Sequence, residues 1–318
     1  NGLYFARQRR RKWFSHPLML SIAHHPIYQL PLPKGHRFPM EKYDLLPRQL
    51  LHEGTCSADD FFVPKKLDQA TIERVHTPDY VKHLLDLSLD RKEIRKIGFP
   101  LSEQLIEREI TIAGGTLEGS LRALDTGIAM NIAGGTHHAF SGQGEAFCLL
   151  NDQAIAAQYL LDHRKATKIL IVDLDVHQGN GTAEIFKNNS DVFTFSMHGA
   201  KNYPFHKEKS NLDIGLKDGT TDSEYLAVLH DILPRLIDKQ KPDFIFYLCG
   251  VDVVATDKLG RLGMSIEGCK ARDSFVLENC KKSGIPLQCS MGGGYSKDIK
   301  IILEAHVNTF RVAQEFYG

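Results

Sequence analysis

Five short apolar runs, each followed by a loop rich in glycine or acid and then by an amphipathic stretch, set the first constraint on this chain. The runs are GIAMNI (127–132), KILIV (168–172), VFTFSM (192–197), FIFYLC (244–249) and IPLQCSM (285–291). A strand that wets one face alternates apolar and polar residues. These runs do not alternate, so both of their faces must be covered. The stretches between them predict helices over 152–162, 221–239, 267–282 and 297–316; Leu226, Leu229, Leu233, Leu236 and Ile237 recur at helical spacing in the second. Strands alternating with helices give a parallel sheet joined by right-handed crossovers. The expected fold class is α/β: three layers, with a predominantly parallel central sheet and helices on both faces.

In open parallel sheets, ligands gather beyond the carboxyl ends of the strands. After NIAGG come His137 and His138; after ILIV come Asp173, Asp175 and His177; after FTFSM comes His198; after FIFYLCGV comes Asp252; after CSMGGG comes Tyr295. Independent surface loops rarely deliver that mixture to one edge. In LIVDLDVHQGNG a buried strand ends by spending ionisable residues at alternate positions, and extended geometry past Val172 would point Asp173, Asp175 and His177 one way. With Asp252, Asp175 and His177 make three N/O ligands for a divalent ion and leave a position for water or substrate, as catalytic zinc sites do. Such an ion acidifies water and polarises a carbonyl. The adjacent His137 and His138 suit a general base and an electrostatic partner, since imidazole titrates near neutral pH. Asp173 and Asn180 are at hand to orient them. Tyr295 follows three glycines, whose compact backbone lets it approach closely and donate to a developing oxyanion.

Each feature alone has a plainer reading. An acid after a strand often caps the next helix, His-His after Gly-Gly can be a surface turn, and Asp252 can be a turn former. The joint occurrence after successive strands decides between them. GGGY is followed by neither G-x-G-x-x-G nor G-K-[ST], which excludes a nucleotide loop. Lys+Arg 39 against Asp+Glu 39 lacks the basic excess that bulk nucleic-acid binding needs. The six cysteines form no C-x-x-C pair, which suits a reducing, cytoplasmic location. No apolar run approaches the ~20 residues of a membrane span. His198 is not taken as a ligand, and His24, His25, His36, His52 and His76 read as structural or rim residues. Phe147 and Tyr203 fit either core or tunnel wall. The basic stretch NGLYFARQRRRKWFSHPL precedes Met19 and reads as a vector- or leader-derived segment (1–18), with 19–318 as one domain. The proline-rich early loop is expected at the rim of a pocket.

GGTHHAF, DLDVHQGNGT, GVDVVATDKLG and MGGGY occur in that order. Together they resemble the zinc-dependent histone deacetylase superfamily, on the arginase–deacetylase fold, from about Met19 to the C-terminus. GFPLSEQLIEREITIAGGT and TDKLGRLGMSIEG are most similar to its class IV branch and bacterial members. The resemblance implies one catalytic Zn²⁺ on Asp175, His177 and Asp252, and His137 and His138 as the tandem histidines, with His138 the base. It implies Asp173 as partner of the first histidine, Tyr295 as the carbonyl-polarising tyrosine, and Phe147, Gly293 and Gly294 beside the substrate. It further implies a structural K⁺ or other monovalent cation at Asp173, Asp175, His177, Ser196 and Met197. The implied activity is removal of acetyl or longer acyl groups from lysine side chains of proteins or peptides, or from small acylated amines, with hydroxamate-type inhibitors binding. Neither nucleic acid nor membrane is an expected partner. Two departures stand out. Asn180 occupies a position where class I members carry an acid, and the early loop lacks a match to the class I aspartate that grips substrate backbone. The rivals are a ureohydrolase-type binuclear manganese enzyme on the same fold and a non-catalytic acyl-amine binding protein. The first wants more bridging aspartates than DLDVHQGN offers and has no use for the tyrosine.

Overall fold

The computed structural model describes residues 20–318, so the leader-like segment 1–18 lies outside the described residues. Eight strands form one sheet: β1 (Ser21–Ala23), β2 (Phe61–Phe62), β3 (Ile128–Asn131), β4 (Ile169–Asp173), β5 (Val192–Gly199), β6 (Leu212–Leu216), β7 (Phe244–Gly250) and β8 (Leu287–Gly292). Their order across the sheet is β2-β1-β3-β8-β7-β4-β5-β6, and every neighbouring pair is parallel. The helices in chain order are α1 (Lys42–His52), α2 (Gln69–Ile72), α3 (Pro78–Leu85), α4 (Arg91–Ile97), α5 (Glu103–Thr126), α6 (Asp152–Asp162), α7 (Asn180–Phe186), α8 (Asp222–Gln240), α9 (Ile266–Ser283) and α10 (Ile299–Tyr317). The five apolar runs and four helical stretches read from sequence all appear, to within a residue or two. No helix among the described residues is long and apolar enough to cross a membrane.

Alternate residues of the central strands enter two different cores, which is why the runs had to be apolar throughout. Ile169, Ile171, Phe244 and Phe246 pack with Ala154, Ala157 and Leu160 of α6 and Phe186 of α7. Leu170, Val172, Ile245 and Tyr247 face the other way, into the core that holds Leu229 and Leu233 of α8, Val276 of α9 and Phe310 of α10. The fold is the three-layer α/β arrangement.

Several elements were not foreseen, among them β1, β2, β6 and α5. Strands β1 and β2 are only three and two residues long, and β2 and β6 are the sheet's edges. The 24-residue α5 carries Gly114, Gly115 and Gly119 in its interior, which weakens local helix preference. The glycines serve packing: a Cβ on Gly115 would come within 2.5 Å of the Tyr28 hydroxyl and 3.0 Å of Ala23. Tertiary contact there overrides propensity.

One buried cation ties the functional edge together. Arg272 of α9 is fully buried. Its Nη1 donates to the carbonyl oxygens of Leu174 (3.1 Å) and Gly250 (2.6 Å), and its Nε donates to Asp273 Oδ1 (2.9 Å). Asp273 also accepts from the hydroxyls of Tyr247 (2.5 Å) and Thr309 (2.6 Å). Leu174 lies between Asp173 and Asp175, and Gly250 lies two residues before Asp252. Arg272→Met should therefore lower stability by ~3–5 kcal/mol, since it strands Asp273 as an unpaired buried charge. Chemical denaturation measures this; an unchanged midpoint would mean that the strand ends hold themselves.

Candidate metal centre and catalytic pocket

Asp175 and His177 leave the end of β4, and Asp252 leaves the end of the adjacent β7. All three are buried, and a ligand atom from each lies within 4.8 Å of the others. His177 Nδ1 is 3.0 Å from Asp175 Oδ1 and 3.1 Å from Asp252 Oδ2. A ring nitrogen carries one hydrogen, and Asp175 takes it, so Asp252 Oδ2 is left buried without a hydrogen-bond donor. Its Oδ1 accepts from the Val176 backbone (3.0 Å). Gly293 (φ +58°) closes over this carboxylate, and a Cβ there would collide with it. Two carboxylates and one imidazole facing a common point, with one lone pair unserved, fit a divalent cation.

Burial opposes charge on His177, but the adjacent carboxylates of Asp175 and Asp252 outweigh it and push the imidazole up to about 10. Burial and the Asp175 charge push Asp252 up to about 7. The bond from His177 overcomes burial at Asp175 and holds that carboxyl well below the ordinary range. Without a cation the trio thus holds a proton that a cation must displace.

The tandem histidines stand on the loop after β3. Asp152, at the start of α6, fixes that loop by accepting from the backbone of Gly135 (3.2 Å) and Thr136 (2.9 Å). The imidazole rings lie 4.1 Å apart between centroids with their planes tilted by 48°, yet their partners differ. His137 Nδ1 meets Asp173 Oδ2 at 2.7 Å, and His138 Nδ1 meets Asn180 Oδ1 at 2.6 Å. Burial alone would depress both. At His137 the Asp173 carboxylate overcomes it and raises the ring. At His138 burial and the charges of His137 and His177 push the ring well below its ordinary value, and a neutral amide does little to oppose them.

Asp175, His177, Asp252, His137 and His138 line one cavity of about 390 Å³ together with Phe147, Gly293 and Tyr295. Burial and the nearby charges of Asp252 and Asp175 push the Tyr295 hydroxyl well up, so it remains a donor at neutral pH. Its ring lies 6.2 Å from Phe147 and 6.0 Å from Phe38. Its backbone N–H donates to Asp257 (2.6 Å). Gly294, expected beside the substrate, is not among the residues lining this cavity, and a Cβ there would meet Ile302, Val251 and His306. The proline-rich early loop does reach the rim, through Arg37 and Phe38, and Tyr203 is wall rather than core. For the expected monovalent-cation set, Asp173 stands in register opposite Ser196 on β5, beside Met197. His198 bonds Ser196 Oγ (3.0 Å) and lies outside the metal trio. His76 is structural, held between Phe140 O and Asn151 N at 3.0 Å each.

Sequence reading missed Lys42, Glu145, Asp152, Asp257 and Arg272. Lys42 is buried beneath the tyrosine, donates to Gly293 O (2.5 Å), and is pushed down to about 8 by burial against the pull of Asp252 and Asp257. Only Asp257 lay inside a quoted motif, GVDVVATDKLG; the others carry no local signal.

Residues 36–310 match the sequence model of the Histone deacetylase domain. An uncharacterized protein of Picosynechococcus sp. is 44% identical over 296 residues, covering 93% of this chain and 99% of that one. Histone deacetylase 9 of Arabidopsis thaliana is 30% identical over 289 residues, and human Histone deacetylase 1 is 27% identical over 286. Each alignment covers 83% of this chain but spans 66% and 58% of those two relatives. Among solved structures, the HDA15 HD domain superposes with a TM-score of 0.78 at 20% identity, over 94% of this chain and 89% of that one. That likeness extends to the fold, and the match over 36–310 carries the lineage: the chain belongs to the histone deacetylase family.

Proposed function

We propose that the chain, as a single catalytic domain over 19–318, is a zinc-dependent amidohydrolase that removes acyl groups from lysine side chains of proteins or peptides. The observation that carries this reading is the opening of the Asp175–His177–Asp252 trio, His138 and Tyr295 into one cavity. The trio would hold the cation, which supplies a Lewis acid for the amide carbonyl and acidifies water. His138, with its Nδ1 hydrogen committed to Asn180, keeps a lone pair on Nε2 and accepts the proton of the attacking water. Tyr295 donates to the carbonyl oxygen as charge develops on it. Asp173 favours the protonated form of His137, whose charge would add a positive field. The C–N bond breaks as His138 returns its proton to the departing amine, leaving a carboxylate and a free lysine. A monovalent cation at Asp173, Asp175, His177, Ser196 and Met197, hydroxamate binding and a cytoplasmic location belong to the same reading. The six free, buried thiols suit that location.

The cavity's rim bears on the substrate. Arg37, Lys96, Lys201, Lys258 and Arg261 line it and are exposed; Glu145 pairs with Lys96, and Asp218 is shared by Lys201 and Arg261, which leaves the rim with a positive excess. The acids lining the same cavity among the described residues are Asp175 and Asp252, at its floor. A cationic mouth repels a polyamine and attracts an acyl-lysine with acidic neighbours.

His138→Ala and Asp252→Ala should each lower acyl-lysine peptide hydrolysis by at least about 100-fold, and Tyr295→Phe by ~10²–10³. Wild-type rates in all three variants would end the assignment. Gly293→Ala should leave the chain folded by circular dichroism but with less zinc per chain by elemental analysis, because the new methyl group displaces the Asp252 carboxylate. Acetylpolyamines should give a lower kcat/KM than an acetyl-lysine peptide flanked by Asp or Glu, with the gap shrinking as salt screens the rim. A preference for the polyamine would refute the charge argument.

A further inference from the structure

Glu145 takes no part in the metal trio or in any step above, yet it is built into the wall behind His138. It is buried. Glu145 and Cys148 exchange backbone hydrogen bonds, both 2.9 Å. Between them Ala146 (φ +45°) and Phe147 (φ +69°) hold left-handed backbone, pinned by donation to the carbonyls of Lys96 (3.0 Å) and Ile97 (2.6 Å). Non-glycine residues persist in that region only where their surroundings over-determine it. The loop so held puts the Phe147 ring on the cavity wall and the Glu145 carboxylate among polar partners. Lys96 Nζ donates to Oε2 (2.6 Å), so the buried charge is compensated. The Tyr203 hydroxyl and Asn180 Nδ2 (3.3 Å) both donate to Oε1.

Asn180 is the link to the chemistry. A carboxamide has an accepting end and a donating end. Turned as here, its oxygen accepts from His138 Nδ1–H, and Nε2 keeps the lone pair that a base needs. Turned over, its NH₂ would donate to His138 Nδ1, and the ring hydrogen would move to Nε2. An aspartate at this position would have no such ambiguity. A carboxylate oxygen placed against the amide's far end removes it, because only the NH₂ fits there. We propose that Glu145 is a positioning residue that, by fixing the orientation of the Asn180 amide, sets the tautomer of His138. This rests on His138 serving as the base, but the tautomer is readable without turnover.

The test uses the full chain labelled with ¹⁵N-histidine, with and without zinc, and His138 assigned through His138→Gln. Wild type should show the Nδ1–H form. Glu145→Ala, and Glu145→Met where the space must stay filled, should shift His138 toward Nε2–H and lower kcat about 100-fold with KM little changed. Adding Asn180→Asp to Glu145→Ala should restore both, since a carboxylate offers the ring only acceptors. An unchanged His138 tautomer in folded Glu145→Ala or Glu145→Met overturns the proposal, and so does failure of Asn180→Asp to restore it. If wild type hydrolyses no acyl-lysine while the tautomer moves as stated, the proposed reaction falls and the role of Glu145 stands.

Discussion

The site's geometry depends on Arg272. Two parallel strands end side by side, and each then releases an acid into a buried space. Beyond the last pair of the β4–β7 ladder, the carbonyls of Leu174 and Gly250 need other donors, and a buried carbonyl without one is costly. A single guanidinium serves both (3.1 and 2.6 Å) and is itself held by Asp273. Arginine's fixed fork of donors makes this double duty feasible where lysine's single ammonium would not match it. The consequence is that Asp175 and Asp252 stand at a spacing set by packing from α9, before any cation arrives. Preorganisation of this kind is what a metal site needs from its scaffold.

Within that frame, environment assigns different parts to chemically similar groups. Asp173 is spent on His137, Asp175 on His177, and Asp252 keeps an unserved oxygen. The residual negative charge sits where a cation can neutralise it. The two adjacent imidazoles diverge for the same reason. One faces a carboxylate and is raised; the other faces an amide and is depressed by burial and neighbouring positive charge. Pairs of titratable groups pushed apart by their surroundings mark acid and base parts in an active site.

The legible part of the sequence was whatever local periodicity or strand-end position can encode. Runs such as KILIV and FIFYLC announced central strands because both faces are buried. D-x-D-x-H and the tandem histidines were conspicuous because ionisable residues rarely follow such runs so regularly. The edge strands β2 and β6 went unread because an edge needs no two-sided apolar run, and LDIGL is half-exposed. Helix α5 hid behind glycines chosen for close approach to Tyr28 and Ala23. A glycine run does not say which member faces the cavity; Gly294 is met by Ile302 and His306, from the helix α10 that follows it directly. Arg272, Lys42 and Glu145 act over separations of 98, 251 and 35 residues. No window on the sequence spans those contacts.

Charge at the mouth shows why a balanced total is a poor guide to a local field. The chain carries 39 basic and 39 acidic residues, yet five exposed cations meet around one opening, offset there only by Glu145 on Lys96 and by Asp218 on Lys201 and Arg261. A cleft with low-dielectric walls focuses such a field beyond what the net charge suggests. Under the proposed reaction this has two effects of opposite sign on substrate and product. An acylated lysine is neutral and enters without penalty, and acidic residues beside it are drawn to the rim. Hydrolysis creates a lysine amine that takes up a proton, and the new ammonium faces Arg37, Lys96, Lys201, Lys258 and Arg261 on its way out. The same cations that admit the neutral side chain therefore repel the charged one, so release of the amine product is favoured by the surface that recognises its precursor.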